Sequence, residues 1–269
     1  MNTFKNVVVV VQARSNSTRL KNKVFLSLCG KELLLRMIER IEGSCFNPEI
    51  VVATTCNKED DRIVDLCERE GKKYFRGSEN DLLDRHLQTG IIYGADVVVK
   101  IPSDCPLIDP EIIDKVLSYY ISNSEKFDYV SNLHPATYPD GNDVEVMSID
   151  ALEKAWREAE EPYEREHTTP FIWDNPEMFS IGNVEWEHCR DYSMSHRFTI
   201  DYKEDYDFIK RVYKELYPVK PRFTLNDILS LLRRNPEIME INRIYAGVNW
   251  YRNIIGKLKT ISEKQTRNI

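Results

Sequence analysis

Residues 6–23 read NVVVVVQARSNSTRLKNK, five consecutive valines running directly into a loop that carries Arg14, Arg19, Lys21 and Lys23 among small polar residues. The valine run does not alternate with polar residues, so it predicts a strand buried on both faces, as the central strands of a parallel sheet are. Such a strand releases the chain at its carboxyl end, the edge where open α/β sheets bind ligands. The four cations suit a triphosphate of charge about −4, with arginine gripping oxygens through its planar fork and lysine acting as a point charge. Ser15, Asn16, Ser17 and Thr18 are small enough for backbone amides to approach phosphate oxygens. The competing reading is a solvated basic loop; a binding site is favoured because all four charges follow a fully buried strand.

With 269 residues the chain can form one large α/β domain. Its net charge of −7 argues against a nucleic-acid partner and makes the basic loop a local feature, more easily read as a site. No stretch approaches the roughly 18 apolar residues of a membrane span, and the N-terminus lacks the basic start and cleavage site of a signal peptide. The expectation is a cytoplasmic protein with no membrane association. The cysteines at 29, 45, 56, 67, 105 and 189 are scattered, without a C-x-x-C pair, and read as reduced structural thiols. Cys105 has no neighbouring histidine or lysine to activate it and is expected to pack.

Over roughly the first 130 residues, strand and helix patterns alternate. Leu33, Leu34, Met37, Ile38 and Ile41 give an apolar helical face, followed by a strand at 49–55. Ile63, Val64 and Cys67 mark a second helix, 72–77 a short strand, 81–94 a third helix, and 96–101 another strand without alternation. Pro110 opens a helix at the position proline prefers. Repeated βα units with buried strands predict an α/β fold with a doubly wound, mostly parallel sheet.

Beyond residue 130 the pattern changes. Residues 131–148 are turn-rich and then strand-like, 150–160 and 164–174 read as helices, HRFTID (196–201) as a strand, and 203–216 as a helix. The tail from about 224 to 264 reads as helical with a break at Asn235–Pro236. One α/β domain over 1–220, with a mid-chain insertion at 131–175 and a helical extension at 221–269, accounts for this. Tyr138, Trp156, Tyr163 and Trp173 suit either a homodimer interface through the insertion or core packing.

Asp104 and Asp201 each follow the end of an apolar segment. A nucleotide-bound magnesium takes one or two protein carboxylates, its other ligands being phosphate oxygens and water, and two such aspartates can supply that. For Asp104 a metal role is favoured over helix capping; for Asp201 composition leaves both open. Asp109, before Pro110, reads as a cap, and Asp205 as a first-turn residue.

Taken in order, QARSNSTRLKNK, FRGSENDLLDR, SDCPLIDPEIID, YPDGNDVEV, EREHTTP and RFTIDYKEDY closely resemble the spore-coat-polysaccharide branch of the cytidylyltransferase family, related to enzymes that make CMP-Kdo and CMP-sialic acid. The resemblance covers roughly residues 5–215. It implies a Rossmann-like nucleotidyltransferase sheet that binds CTP and Mg²⁺, an acceptor oxygen attacking the α-phosphorus, and departure of pyrophosphate, chemistry that asks mainly for positioning and charge neutralisation. By this resemblance Arg14, Lys23 and Asp104 are catalytic, and Asp104 and Asp201 hold the metal. Gln12, Ala13, Arg14, Ser15, Ser17, Thr18, Arg19, Lys23 and Ser103 surround the nucleotide. Arg76, Ser78, Asp81 and Arg85 fall in the stretch that approaches base and ribose, with helix capping the other reading for Ser78 and Asp81. Asp140, Asp143, Glu145, Arg165, Glu166 and His167 fall near the acceptor, a small acidic sugar or phosphorylated compound; Arg165 suits its anionic group, and His167 is either a base or an orienting residue.

The first loop departs from the family's usual wording. Asn16, Lys21 and Asn22 stand where relatives carry glycine and a proline-glycine pair, and asparagine tolerates positive φ well enough to keep the turn. A nucleotide-sugar glycosyltransferase and a non-catalytic nucleotide-binding subunit are the alternatives. Against the former, Ser103-Asp104-Cys105 lacks the first acid of an Asp-x-Asp metal motif.

Overall fold

The computed structural model describes residues 6–187 and 190–268; of the cysteines, Cys189 lies outside them. Strand β1 (Val7–Gln12) is buried as its lack of alternation predicts. Val8 and Val10 enter the core on one face of the sheet, Val9 and Val11 the core on the other, and all four are fully buried. Burying a valine in this way stabilises the fold by about 1.5 kcal/mol.

The chain continues through the two-residue strands β2 (Ser27–Leu28) and β3 (Lys31–Glu32), then α1 (Leu33–Ile41), β4 (Glu49–Thr55), α2 (Asp61–Arg69), β5 (Lys73–Gly77), α3 (Leu82–Ile92), β6 (Val97–Pro102) and α4 (Pro110–Ser122). There follow β7 (Tyr129–Ser131), β8 (Glu145–Ser148), α5 (Ile149–Glu158), α6 (Pro162–His167), α7 (Pro170–Trp173), β9 (Ile181–Asn183), α8 (Lys203–Leu216) and α9 (Leu225–Arg234). The described residues form a seven-stranded sheet in the order β5-β4-β1-β6-β8-β7-β9. Strands β5, β4, β1 and β6 are mutually parallel, while β8 runs antiparallel to both β6 and β7. Apolar residues of α1, α2, α4, α8 and α9 join the core on one face, and those of α3, α5 and α7 the core on the other. This is the expected doubly wound, mostly parallel architecture. No helix among the described residues is long and apolar enough to cross a membrane.

Three elements differ from the sequence reading. Residues 164–174 do not form one helix, because Thr168 at φ +75° separates α6 from α7. HRFTID is extended but makes only an isolated bridge, Arg197 with Asp140, rather than a strand of the sheet. Beyond α9 the tail is a series of short 3-10 turns, as Pro236 ends the α-helical register.

Much of 131–175 is built into the body of the fold, since it supplies β8 and the helices packed on that side. Tyr138 and Trp173 are buried in the cores and Trp156 and Tyr163 pack against one, so these aromatics face inward. The other described cysteines are free, and burial pushes the Cys105 thiol well above its usual value, as suits a packing residue.

Candidate active site

Parallel strands β1 and β6 end side by side, Gln12 opposite Pro102, and their carboxyl ends open into a cavity of about 630 Å³. Gln12 and Ala13, at the end of β1, line it with Arg14, Ser17, Thr18, Arg19 and Lys23 from the following loop. Asn22 adopts φ +57°, the left-handed conformation asparagine tolerates, so the loop turns without its expected glycine. Arg14 is half-buried and has no hydrogen-bond or ion-pair partner among the described residues, leaving its whole fork for a ligand.

Lys23 does something different. Its ammonium is 2.8 Å from Asp104 Oδ2 and 3.3 Å from Asp201 Oδ1, and it also donates to the Ile200 carbonyl at 2.7 Å. Asp104 and Asp201 therefore converge on one cation, although 97 residues separate them in sequence. The extended segment 196–201 brings them together, Ile200 N donating to the Asp104 carbonyl at 2.9 Å. Arg19 adds a second cation to the cluster, 2.6 Å from Asp201 Oδ1. Burial alone would raise the Asp201 carboxyl, but Lys23, Arg19 and Arg197 together hold it well below the usual carboxylate range.

Behind this cluster sits Arg197, almost wholly buried. Its guanidinium reaches Asp140 at 3.0 Å, Asp201 at 2.9 Å and Asp205 at 3.1 Å, and donates to the Val248 carbonyl at 2.9 Å. Asp205 in turn accepts from the backbone N–H groups of Asp201 and Tyr202, so the first turn of α8 is fixed to the site. Gly141 makes the crossing of these segments feasible. At φ +102° it passes so close that a Cβ would lie 2.6 Å from the Phe198 carbonyl carbon.

Asp140, Asp143 and Glu145 all line the cavity in different states. Glu145 is 2.6 Å from the Lys100 ammonium and accepts from the Tyr129 hydroxyl at 2.6 Å. Burial would raise its carboxyl, but Lys100 brings it below its usual value. Burial pushes Asp140 well up despite Arg197, the crowding of Asp143, Asp201 and Asp104 adding to it. Asp143 accepts from Gly141 N at 3.1 Å and forms no ion pair among the described residues. Burial, aided by Glu145 and Asp104, raises its carboxyl to about 6. Its unshared charge and near-neutral titration make Asp143 the lining group best suited to accept a proton.

A family model described as cytidylyltransferase matches residues 8–228. The chain belongs to the cytidylyltransferase family. It is 40% identical to the uncharacterized protein MJ1063 of Methanocaldococcus jannaschii over 88% of this chain and 94% of that one. It is 30% identical to the spore coat polysaccharide biosynthesis protein SpsF of Bacillus subtilis, over 87% of this chain and 97% of that one. A solved cytidylyltransferase structure from Leptospira borgpetersenii superposes with a TM-score of 0.82 at 34% identity, covering 87% of this chain and 96% of the other. As a cytidylyltransferase the chain is a CTP-dependent nucleotidyltransferase, with its basic loop and two aspartates at the sheet edge.

The structure also brings Ser103, Arg85, Glu166 and His167 to the cavity. Arg85 is buried, donates to the Ser78 carbonyl at 3.0 Å, and keeps its Nε without a partner; Gln12 Oε1 and His134 Nδ1 are likewise buried and unpartnered in the cavity wall. Several expected residues are spent elsewhere. Ser15 donates both its N–H and its hydroxyl to Asp60, at 2.7 and 2.6 Å, so that amide faces a carboxylate. Arg76 donates to the Thr55 and Asn57 carbonyls and pairs with Asp61. Ser78 accepts from Asp81 N, and Asp81 caps α3 by accepting from Asp84 N, the capping reading for both. Arg165 is held by Asp81 at 2.5 Å and by the Trp156 carbonyl, and it is not among the residues that line the cavity.

His167 stacks on Trp250 of the tail with ring centroids 3.7 Å apart. Burial, with Lys100 and Arg14 nearby, lowers its pKa to about 3, and the neutral ring is too weak a base for more than orientation. Lys100, Arg197 and the tail residues 248–253 were missed from the sequence. The single lysine in VVVKI was a readable signal, because an unpartnered charge does not survive in a buried strand; nothing in the spacing of Trp250 points to the cavity.

Proposed function

We propose that this cytidylyltransferase transfers CMP from CTP to a small acidic sugar or phosphorylated acceptor, with Mg²⁺, in building precursors of a surface polysaccharide. The observation that carries this reading is the pairing, at one sheet edge, of an arginine free of partners (Arg14) with two carboxylates that share a single cation.

An acceptor oxygen attacks the α-phosphorus, a new P–O bond forms, and the bond to the β-phosphate oxygen breaks to release pyrophosphate. Arg14 and Arg85 neutralise the triphosphate and the charge that accumulates on the leaving group. Asp143 takes the proton where the nucleophile is a hydroxyl, and His167 orients the acceptor. The donor set fits a divalent ion, since Asp104 and Asp201 already place one oxygen each around a common cation, and Lys23 would have to yield that position. When bound there, the ion would polarise phosphate oxygens. Lys23, once released, is close enough to the basic loop to join the phosphate-binding cations.

Pyrophosphate release from CTP, UTP, ATP and GTP, each with a panel of carboxylated and phosphorylated acceptors, tests the reading. CTP is expected to be consumed in an acceptor-dependent way, and activity to vanish in Asp104→Asn. Turnover of nucleotide sugars with CTP untouched would sink it.

A further inference from the structure

The acceptor in the proposed reaction brings a second anion into a cavity that already has to hold a triphosphate. Half of the cations lining that cavity are already neutralised: Lys23, Arg19, Lys100 and Arg197 are each ion-paired to a carboxylate. Among the described lining residues, Arg14, Arg85, Arg252 and Lys264 have no carboxylate within ion-pair distance. The first two come from the β1 loop and α3, and the last two from the tail, beyond the residues the family model matches. Arg165, the arginine expected to meet the acceptor, is bound to Asp81.

Resting on the cytidyl-transfer reading, we infer that the tail builds the subsite for the acceptor's anionic group, with Arg252 as its main contact, assisted by Lys264. Arg252 is half-buried, and one of its terminal nitrogens donates to the Asn249 carbonyl at 3.1 Å. Its other donors have no partner among the described residues, so a carboxylate or phosphate is gripped by a fork already held in place. The tail is itself anchored. Arg197 donates to the Val248 carbonyl, Asn249 N to Thr266 Oγ1 at 3.1 Å, and Arg267 N to the Gly247 carbonyl at 2.7 Å. The stack of Trp250 on His167 closes the link to the acceptor side of the cavity. Anchoring of this kind lowers the ordering cost of binding.

The probes are inorganic phosphate and pyruvate, each titrated onto the full-length protein saturated with CTP and followed by calorimetry and tryptophan fluorescence. Saturable binding of at least one anion is expected, weakened tenfold or more by Arg252→Ala and recovered in part by Arg252→Lys; the tighter probe identifies a phosphate or a carboxylate acceptor. Absence of a saturable second anion site, or equal affinity in wild type and the Arg252→Ala, Lys264→Ala double variant, overturns the inference. Unchanged CTP affinity in these variants shows that the fold is intact, whereas a CTP affinity that falls with Arg252→Ala assigns this arginine to the triphosphate and also overturns it. Failure of the wild-type protein to bind CTP counts against the cytidyl-transfer reading instead.

Discussion

Replacing Arg197 with methionine should destabilise the protein severely. The side chain is 2% exposed and its guanidinium is shared among Asp140, Asp201 and Asp205, so its removal leaves three largely buried carboxylates without their common partner. Breaking a buried ion pair by removing one partner costs about 3–5 kcal/mol. The lower part of that range applies here for two reasons. Asp140 is already pushed towards its neutral form by burial and sheds its charge easily, and Asp201 keeps Lys23 and Arg19. Asp205, fully buried, still accepts from two backbone N–H groups and from Asn242. A loss of about 3 kcal/mol at a urea m-value of about 3 kcal/mol/M moves the unfolding midpoint down by about 1 M. Urea titration followed by both fluorescence and circular dichroism gives the measurement, coincident transitions licensing the free-energy treatment. Arg197→Lys should recover less than half, because a point charge cannot serve three carboxylates and a carbonyl at once. A midpoint shift below about 0.3 M would refute the idea that this arginine holds the site together.

Arg14→Ala should leave the melting temperature unchanged, since the guanidinium has no partner to lose, while raising the KM for CTP roughly tenfold or more in steady-state pyrophosphate release, as expected for a charge-assisted contact of about 1.5–3 kcal/mol. For Asp143, activity should fall as pH drops through about 6, where the carboxyl takes up its proton; Asp143→Asn should remove that limb of the kcat/KM profile and lower kcat about 10²–10⁴-fold. The same variant should melt higher than wild type above pH 6. A carboxyl whose folded pKa exceeds its unfolded value of about 3.9 destabilises the fold as pH rises through that window, and asparagine escapes this. Arg165→Ala should change KM for neither substrate and cost only about 1 kcal/mol of stability in urea, because its pair with Asp81 is about a quarter exposed on both sides.

The centre of the parallel half of the sheet was legible because β1 and β6 are buried on both faces and open on runs of valine without polar alternation. What followed residue 130 was harder because side-chain pairing, rather than periodicity, shapes it. HRFTID looks like a strand by composition, yet its arginine faces carboxylates and its backbone bonds to two loops. The aspartates were readable from their positions at segment ends. Partnership was not: Arg165 and Arg252 are both arginines flanked by aromatic or polar residues, and only the fold shows that one meets Asp81 while the other meets no carboxylate among the described residues. Tail residues were invisible as site residues because short 3-10 turns leave no period to read.

The close crossing at Gly141 limits how such an enzyme can diversify. With the Phe198 and Thr199 backbone against it, any side chain there would push the acidic loop off the 196–201 segment and scatter the charges that both supply. Substrate range cannot be retuned at that crossing one residue at a time. Variation has room instead in the tail, whose turns are anchored at Asn249, Tyr251 and Arg267 and leave Arg252 replaceable without disturbing Asp104 and Asp201. A lineage that changes acceptor while keeping its nucleotide would be expected to record the change after residue 247 rather than in the loop that follows β1.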